Sequence, residues 1–163
     1  MPVAVCGRGE VIGSLAREGG LQSVLWAGPE QTTGARRTGV TEGTTRTRPV
    51  SLELGFASED LGYLVDLGLP QSSGFRSMFS RDPEIKREAV FAGPRLRPSS
   101  ALVRRQGDYA EVADDTGRGF TELTRALPAH HSVLAEYAGA LPELNAVRDR
   151  LRGWRFYDGF RVD

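Results

Sequence analysis

Val50-Ser51-Leu52-Glu53-Leu54-Gly55-Phe56, followed by Leu61-Gly62-Tyr63-Leu64-Val65-Asp66-Leu67, decides how this chain folds. In the first stretch Val50, Leu52, Leu54 and Phe56 alternate with Ser51, Glu53 and Gly55. In the second, Leu61, Tyr63, Val65 and Leu67 alternate with Gly62, Leu64 and Asp66. A side-chain period of two with one apolar face is the pattern of a half-buried strand. Residues 57–60 alone join the two stretches. So short a link closes a hairpin, whereas a parallel crossover needs about a dozen residues or more. The pair is therefore expected to be antiparallel.

Working outward, residues 70–80 are rich in Ser and Gly and read as a loop. Residues 84–91 read as a strand ended by Gly93-Pro94. Residues 101–105 and 109–113 flank Gln106-Gly107-Asp108, a second hairpin, and Asp114-Asp115-Thr116-Gly117 is a turn cluster. The pattern then turns helical. Residues 120–127 suggest a short helix stopped before Pro128, and 132–137 suggest another. Pro142 suits the first position of a third, in which Leu144, Val147, Leu151 and Trp154 recur at helical spacing up to Gly153. Trp154, Phe156, Phe160 and Val162 share one parity, a strand signature broken by Asp158-Gly159. The stop at Asp163 inside that pattern suggests truncation.

Before the hairpin, residues 3–6 form a short apolar run that leads into Gly7, Gly9 and Gly13. Residues 14–18 suggest a helix end stopped by Gly19-Gly20, and 23–27 an apolar segment stopped by Gly28-Pro29. Residues 31–48 are dominated by Thr, Gly and Arg with no apolar period, as expected of a flexible loop. The expected fold is α/β (α+β) in one domain, 1–163. It comprises an antiparallel β-subdomain at 49–117, a helical segment at 118–153 and the loop at 31–48.

Composition narrows the function classes. Acidic and basic residues balance at 21 each, which disfavours a uniformly basic nucleic-acid binder. Cys6 is the only cysteine, so no intramolecular disulfide is available, as suits a reducing compartment. The start is too weakly apolar for a signal peptide, and no apolar run approaches the about 20 residues that span a membrane. A cytoplasmic protein without a membrane partner is expected.

The motifs are mostly negative. A Walker A loop needs Gly-Lys-Ser/Thr, because the lysine reaches the phosphates and the hydroxyl holds magnesium. Lys86 is the only lysine and stands in Glu-Ile-Lys-Arg-Glu with no glycine beside it. It reads as a solvated strand charge. Gly7, Gly9 and Gly13, with Glu30 downstream, resemble a dinucleotide-binding turn, since glycines let a backbone approach a pyrophosphate. No further strand-helix-strand unit follows them, and an ordinary loop-to-helix junction is the plainer reading. Arg36, Arg37, Arg46 and Arg48 would meet DNA phosphates if their loop were a binding arm. A solvated charge run is the plainer reading. His130 and His131 are adjacent, so they diverge instead of sharing a metal. No Gly-x-Ser-x-Gly occurs.

Several segments taken in order resemble one family. Ser-Leu-Ala-Arg-Glu-Gly-Gly-Leu-Gln-Ser-Val-Leu-Trp-Ala-Gly-Pro-Glu (14–30) resembles the segment after the P-loop helix in bacterial AAA-type ATPases of the SMC/RecF-like group, which have ABC-type heads. Residues 49–56 and 61–70 are similar to that family's antiparallel β-subdomain, and 84–93, 102–105 and 112–117 to its later strands. Leu-Arg-Gly-Trp-Arg-Phe-Tyr-Asp (151–158) resembles the segment before its second half. The resemblance covers about residues 10–163. It implies a partial ATPase head with a mixed core sheet, and ATP with Mg2+ as cofactors of the full-length protein. It also implies that the missing head segments, or a second copy, are the partners. It places no catalytic, cofactor-binding or metal residue on this chain, because the P-loop, the signature motif and the acidic Walker B strand find no counterpart here. The expected function is that of an ATPase fragment inactive alone. A nucleic-acid- or protein-binding module working through the Arg loop, and a small dinucleotide-binding protein, are the alternatives.

Overall fold

A computed structural model describes residues 11–17, 19–24, 49–70 and 82–154. Among them, six strands form one sheet in the order β1 to β6, and every pairing is antiparallel. The strands are β1 (Ser51–Ala57), β2 (Leu61–Gly68), β3 (Glu84–Ala92), β4 (Ala101–Gln106), β5 (Tyr109–Ala113) and β6 (Phe120–Thr124). The helices are α1 (Val11–Arg17), α2 (Leu21–Val24), α3 (Val133–Glu136) and α4 (Pro142–Gly153). The protein is thus an α/β fold built on an antiparallel meander.

The decisive hairpin forms as its alternation requires. Leu52, Leu54 and Phe56 of β1 stand opposite Leu67, Val65 and Tyr63 of β2. Tyr63, Val65 and Leu67 are all but inaccessible to solvent, while the β1 residues are half-buried at the sheet edge. Between β2 and β3, Asp66 pairs with Arg87 and Leu67 with Ile85, so Lys86 is an extra residue in β3. This bulge changes the parity of the strand. Ile85 on one side of it and Glu88 and Val90 on the other all share the face of Leu67, Val65 and Tyr63. On the opposite face Gly62 stands beside Phe91, whose ring would lie 2.2 Å from a Cβ placed there, so only glycine fits. Gly107, at φ 62°, supplies the left-handed turn between β4 and β5.

The helices supply the other layer of the core. Leu144, Val147 and Leu151 lie along one stripe of α4 and are buried with the inner sheet residues in one cluster. Each fully buried leucine contributes about 1.5–3 kcal/mol of apolar transfer energy. Pro142 opens the helix, Glu143 lies in its first turn and Arg150 and Arg152 in its last, as the helix dipole favours. Its far end reaches back to the first hairpin. Arg150 Nη1 donates to Ser58 Oγ at 2.6 Å, and Trp154 packs edge-on against Phe56 with ring centres 5.1 Å apart. Val11, Leu15 and Leu21 of α1 and α2 join the same core.

One expectation is corrected. Residues 120–124 are a strand, not the start of a helix, so the segment 118–153 is not helical throughout and the sheet extends past residue 117. Thr121 and Thr124 are β-branched, and the preceding turn delivers the chain antiparallel to β5, where Ala113 pairs with Phe120. Cross-strand hydrogen bonding outweighs the weak helical spacing of Phe120, Leu123 and Leu127. Residues 14–17 are the end of helix α1 (Val11–Arg17), which stops before Gly19-Gly20 as expected. The proposed loops at 31–48 and 71–80 and the strand-like pattern at 155–162 lie outside the described residues.

Candidate functional site

Polar chemistry concentrates at two places, one on each face of the sheet. On the inner face, Glu88 of β3 and Arg105 of β4 are register partners. Each is only 2% exposed. The Arg105 Nη1 to Glu88 Oε2 distance is 3.6 Å. Glu88 also accepts from Tyr63 Oη at 2.7 Å, Ser132 Oγ at 2.5 Å and the Val133 N–H at 2.9 Å. Arg105 donates through Nε to the Gly107 carbonyl at 2.7 Å, through Nη2 to that of Pro128 at 2.9 Å, and through Nη1 to that of His131.

Each group in this cluster has a local cause. The bulge at Lys86 turns Glu88 inward. Ser132 is the N-cap of α3, its Oγ accepting from the Leu134 N–H at 3.0 Å while its own proton goes to Glu88. Burial pushes the Arg105 guanidinium down from its ordinary value, and the neighbouring Glu88 pushes it back up. The arrangement fastens the connection between β6 and α3 to the centre of the sheet. Both partners' principal donors and acceptors are used within the protein, and no face of the pair meets solvent, so its role is positional.

On the outer face the charges are exposed or half-buried, and most pair across strands. Arg87 Nη2 donates to Glu53 Oε1 at 2.6 Å. Arg104 Nε donates to Glu111 Oε1 at 2.8 Å, Nη2 bonds the same oxygen, and the guanidinium lies 3.6 Å from the centre of the Phe120 ring. Tyr109 Oη donates to Glu111 Oε2 at 3.3 Å, and its phenol is pushed up by burial and by the Glu111 charge. Arg125 Nε donates to Glu122 Oε2 at 2.6 Å, which raises the Arg125 value.

The sequence motifs fall as follows. Lys86 pairs with Glu84 at 2.7 Å on a partly exposed surface, its stem beside Gly68 and its carbonyl accepting from the Gly107 N–H at 3.0 Å. Gly13 lies within α1, while Gly7, Gly9, Glu30, Cys6 and Arg36, Arg37, Arg46 and Arg48 are outside the described residues. His130 lies in a turn, with its ring edge-on to that of His131 at 4.5 Å. His131 precedes the α3 cap and pairs through Nδ1 with Glu136 Oε1 at 2.7 Å. Asp114 serves the β5–β6 turn, its Oδ1 accepting from the Thr116 N–H and hydroxyl. Among the described residues no three His, Cys, Asp or Glu side chains gather as a metal site. No described helix is long and apolar enough to cross a membrane.

Comparison with known proteins finds no matching family, no matching curated protein and no matching solved structure. Sequence reasoning missed Glu88 and Arg105. The available signal was Arg105 itself, a charge sharing the parity of Ala101 and Val103 on a strand whose inner face is otherwise apolar.

Proposed function

We propose that this chain forms the antiparallel β-subdomain and adjoining helices of an SMC/RecF-like, ABC-type ATPase head, and that its own contribution is structural. In this reading, head segments outside this sequence bring the glycine-lined lysine loop and the acidic strand that hold ATP and Mg2+. The chain binds no nucleotide alone. The observation that carries the reading is the meander itself. Strands β1 to β5 fall in sequence where the family resemblance places its β-subdomain, and helices follow them on one face. Lys86, the single lysine, supports it further, because Glu84 occupies its ammonium and no Gly-Lys-Ser/Thr sequence surrounds it.

Calorimetric titration of the chain with ATP and Mg2+ tests the inactive part. No saturable heat is expected, and micromolar affinity would sink it. The family part is tested on the genomic DNA. A Gly-Lys-Ser/Thr loop encoded just upstream in any frame supports it, and its absence on both flanks removes it.

A further inference from the structure

The outer face of the sheet is not flat. Its pleat places Ala89 of β3 beside Arg104 of β4, with Arg87 one pleat away opposite Gln106. The short side chain of Ala89 leaves a hollow between longer neighbours. The segment after β3 folds over one side through the 3-10 turn Pro98–Ser100, and Tyr109 closes the other. The result is a groove of about 460 Å³, open to solvent.

Two independent features coincide there. The first is charge. Arg87, Arg97 and Arg104 line the groove with the outward carboxylate of Glu111. Arg104 pairs with Glu111 and Arg87 with Glu53, so Arg97 brings the unpaired positive charge among the described lining residues, while Glu88 and Arg105 satisfy each other on the inner face. The bonds of Arg97 run through its main chain. Its N–H donates to Ser100 Oγ at 3.0 Å, and its carbonyl accepts from the Ser100 N–H at 3.0 Å. Its guanidinium has no partner among the described residues. Arg87 and Arg104 are held in place by Glu53 and Glu111 through Nη2 and Nε, which leaves the Nη1 donors of both without a protein acceptor among the described residues. The second feature is apolar. Leu96, on the wall of this groove, is 40% exposed, and only Val24 is a comparably exposed large hydrophobic among the described residues.

We infer that this groove is a docking site for an acidic segment of a partner protein, one in which carboxylates flank an apolar side chain. The carboxylates meet the free donors of Arg97, Arg87 and Arg104, and the apolar side chain covers Leu96 and Pro98. Nucleic acid fits less well. A single strand needs a row of aromatic platforms and an uninterrupted positive track. Here Tyr109 is the one aromatic side chain lining the groove, so stacked bases find no row of platforms, while Leu96 offers an apolar contact that a peptide side chain can cover. The inference does not rest on the ATPase reading, and either can fail without the other.

The test uses the full chain and a fluorescein-labelled peptide, Glu-Glu-Leu-Glu-Glu-Leu-Glu, followed by fluorescence anisotropy at low salt. Saturable binding is expected. Arg97→Ala should weaken it at least fivefold, as should replacing both leucines of the peptide by serine. Because the Arg97 guanidinium makes no hydrogen bond or ion pair among the described residues, Arg97→Ala is expected to keep the fold, and an unchanged circular dichroism melt checks this. Three results would each overturn the inference: no binding of the peptide, equal binding of the Arg97→Ala variant, or binding of a fifteen-nucleotide oligothymidylate in preference to the peptide.

Discussion

Arg104 and Arg105 are consecutive, yet they face opposite sides of the sheet and belong to different physical regimes. Each pairs with a glutamate on a neighbouring strand: Arg104 with Glu111 on β5, Arg105 with Glu88 on β3. The Arg104 side chain is 43% exposed and that of Arg105 fully buried. Exposed pairs gain little, because water screens them and ordering two long side chains costs entropy. A buried pair is costly to assemble and still costlier to break, because removing one partner strands the other charge in a medium that cannot solvate it. The same two residue types therefore adorn one face and lock the other. Residue type alone does not reveal which role a charge plays.

The largest expected effect comes from breaking the buried side. Arg105→Met leaves the buried Glu88 carboxylate without its cation, held only by the neutral donors of Tyr63, Ser132 and Val133, and strips the donor from the carbonyls of Gly107, Pro128 and His131. A loss of about 3–5 kcal/mol is expected in urea unfolding. A loss under about 1 kcal/mol would mean that the cluster does not bind the β6–α3 connection to the sheet.

The outer pair should give much less. Arg104→Met removes the contacts to Glu111 and the stacking on Phe120, each worth about 1 kcal/mol at a partly exposed site. A total of about 1–2 kcal/mol is expected. Raising the salt to about 1 M should shrink it, because the Debye length falls to about 3 Å. The Arg105→Met loss should persist in the same salt. Equal salt dependence of the two variants would erase the distinction between the faces.

How much of this was legible beforehand follows the same division. The first hairpin was legible because alternation and a four-residue link are local properties. The stripe of α4 was legible for the same reason, with Leu144, Val147 and Leu151 one helical turn apart. Strand β6 was not, because Phe120-Thr121-Glu122-Leu123-Thr124 has no strong period and gains its identity from pairing with β5. The Glu88–Arg105 pair was hidden by the bulge at Lys86, which changes which residues of β3 face inward. A bulge is set by the register of two distant strands, so local pattern carries little trace of it. The groove was hidden as well, since it needs Ala89, Leu96 and Tyr109 brought together from three separate segments.

The smallest expected effect lies at the turn between β5 and β6, and it sharpens the contrast by its pH dependence. The Asp114 carboxyl is held below its ordinary 3.8, first by the Thr116 hydroxyl and, despite some opposing burial, by backbone N–H groups of the turn. Its value in the folded chain is thus lower than in the unfolded one. The stabilisation is therefore complete above the unfolded value and is lost as the pH falls through the folded one. Asp114→Asn should melt at a slightly lower temperature than the parent at neutral pH, and the two should converge below pH 3.8. Arg105→Met should remain destabilised at neutral pH in any salt, since its origin is burial and not an exposed carboxylate in a turn. A gap between Asp114→Asn and the parent that stays constant as the pH falls through this range would show that the turn is held by backbone geometry, through Gly117 and the Asp114 N–H to Gly119 carbonyl bond of 3.0 Å, and not by the carboxylate.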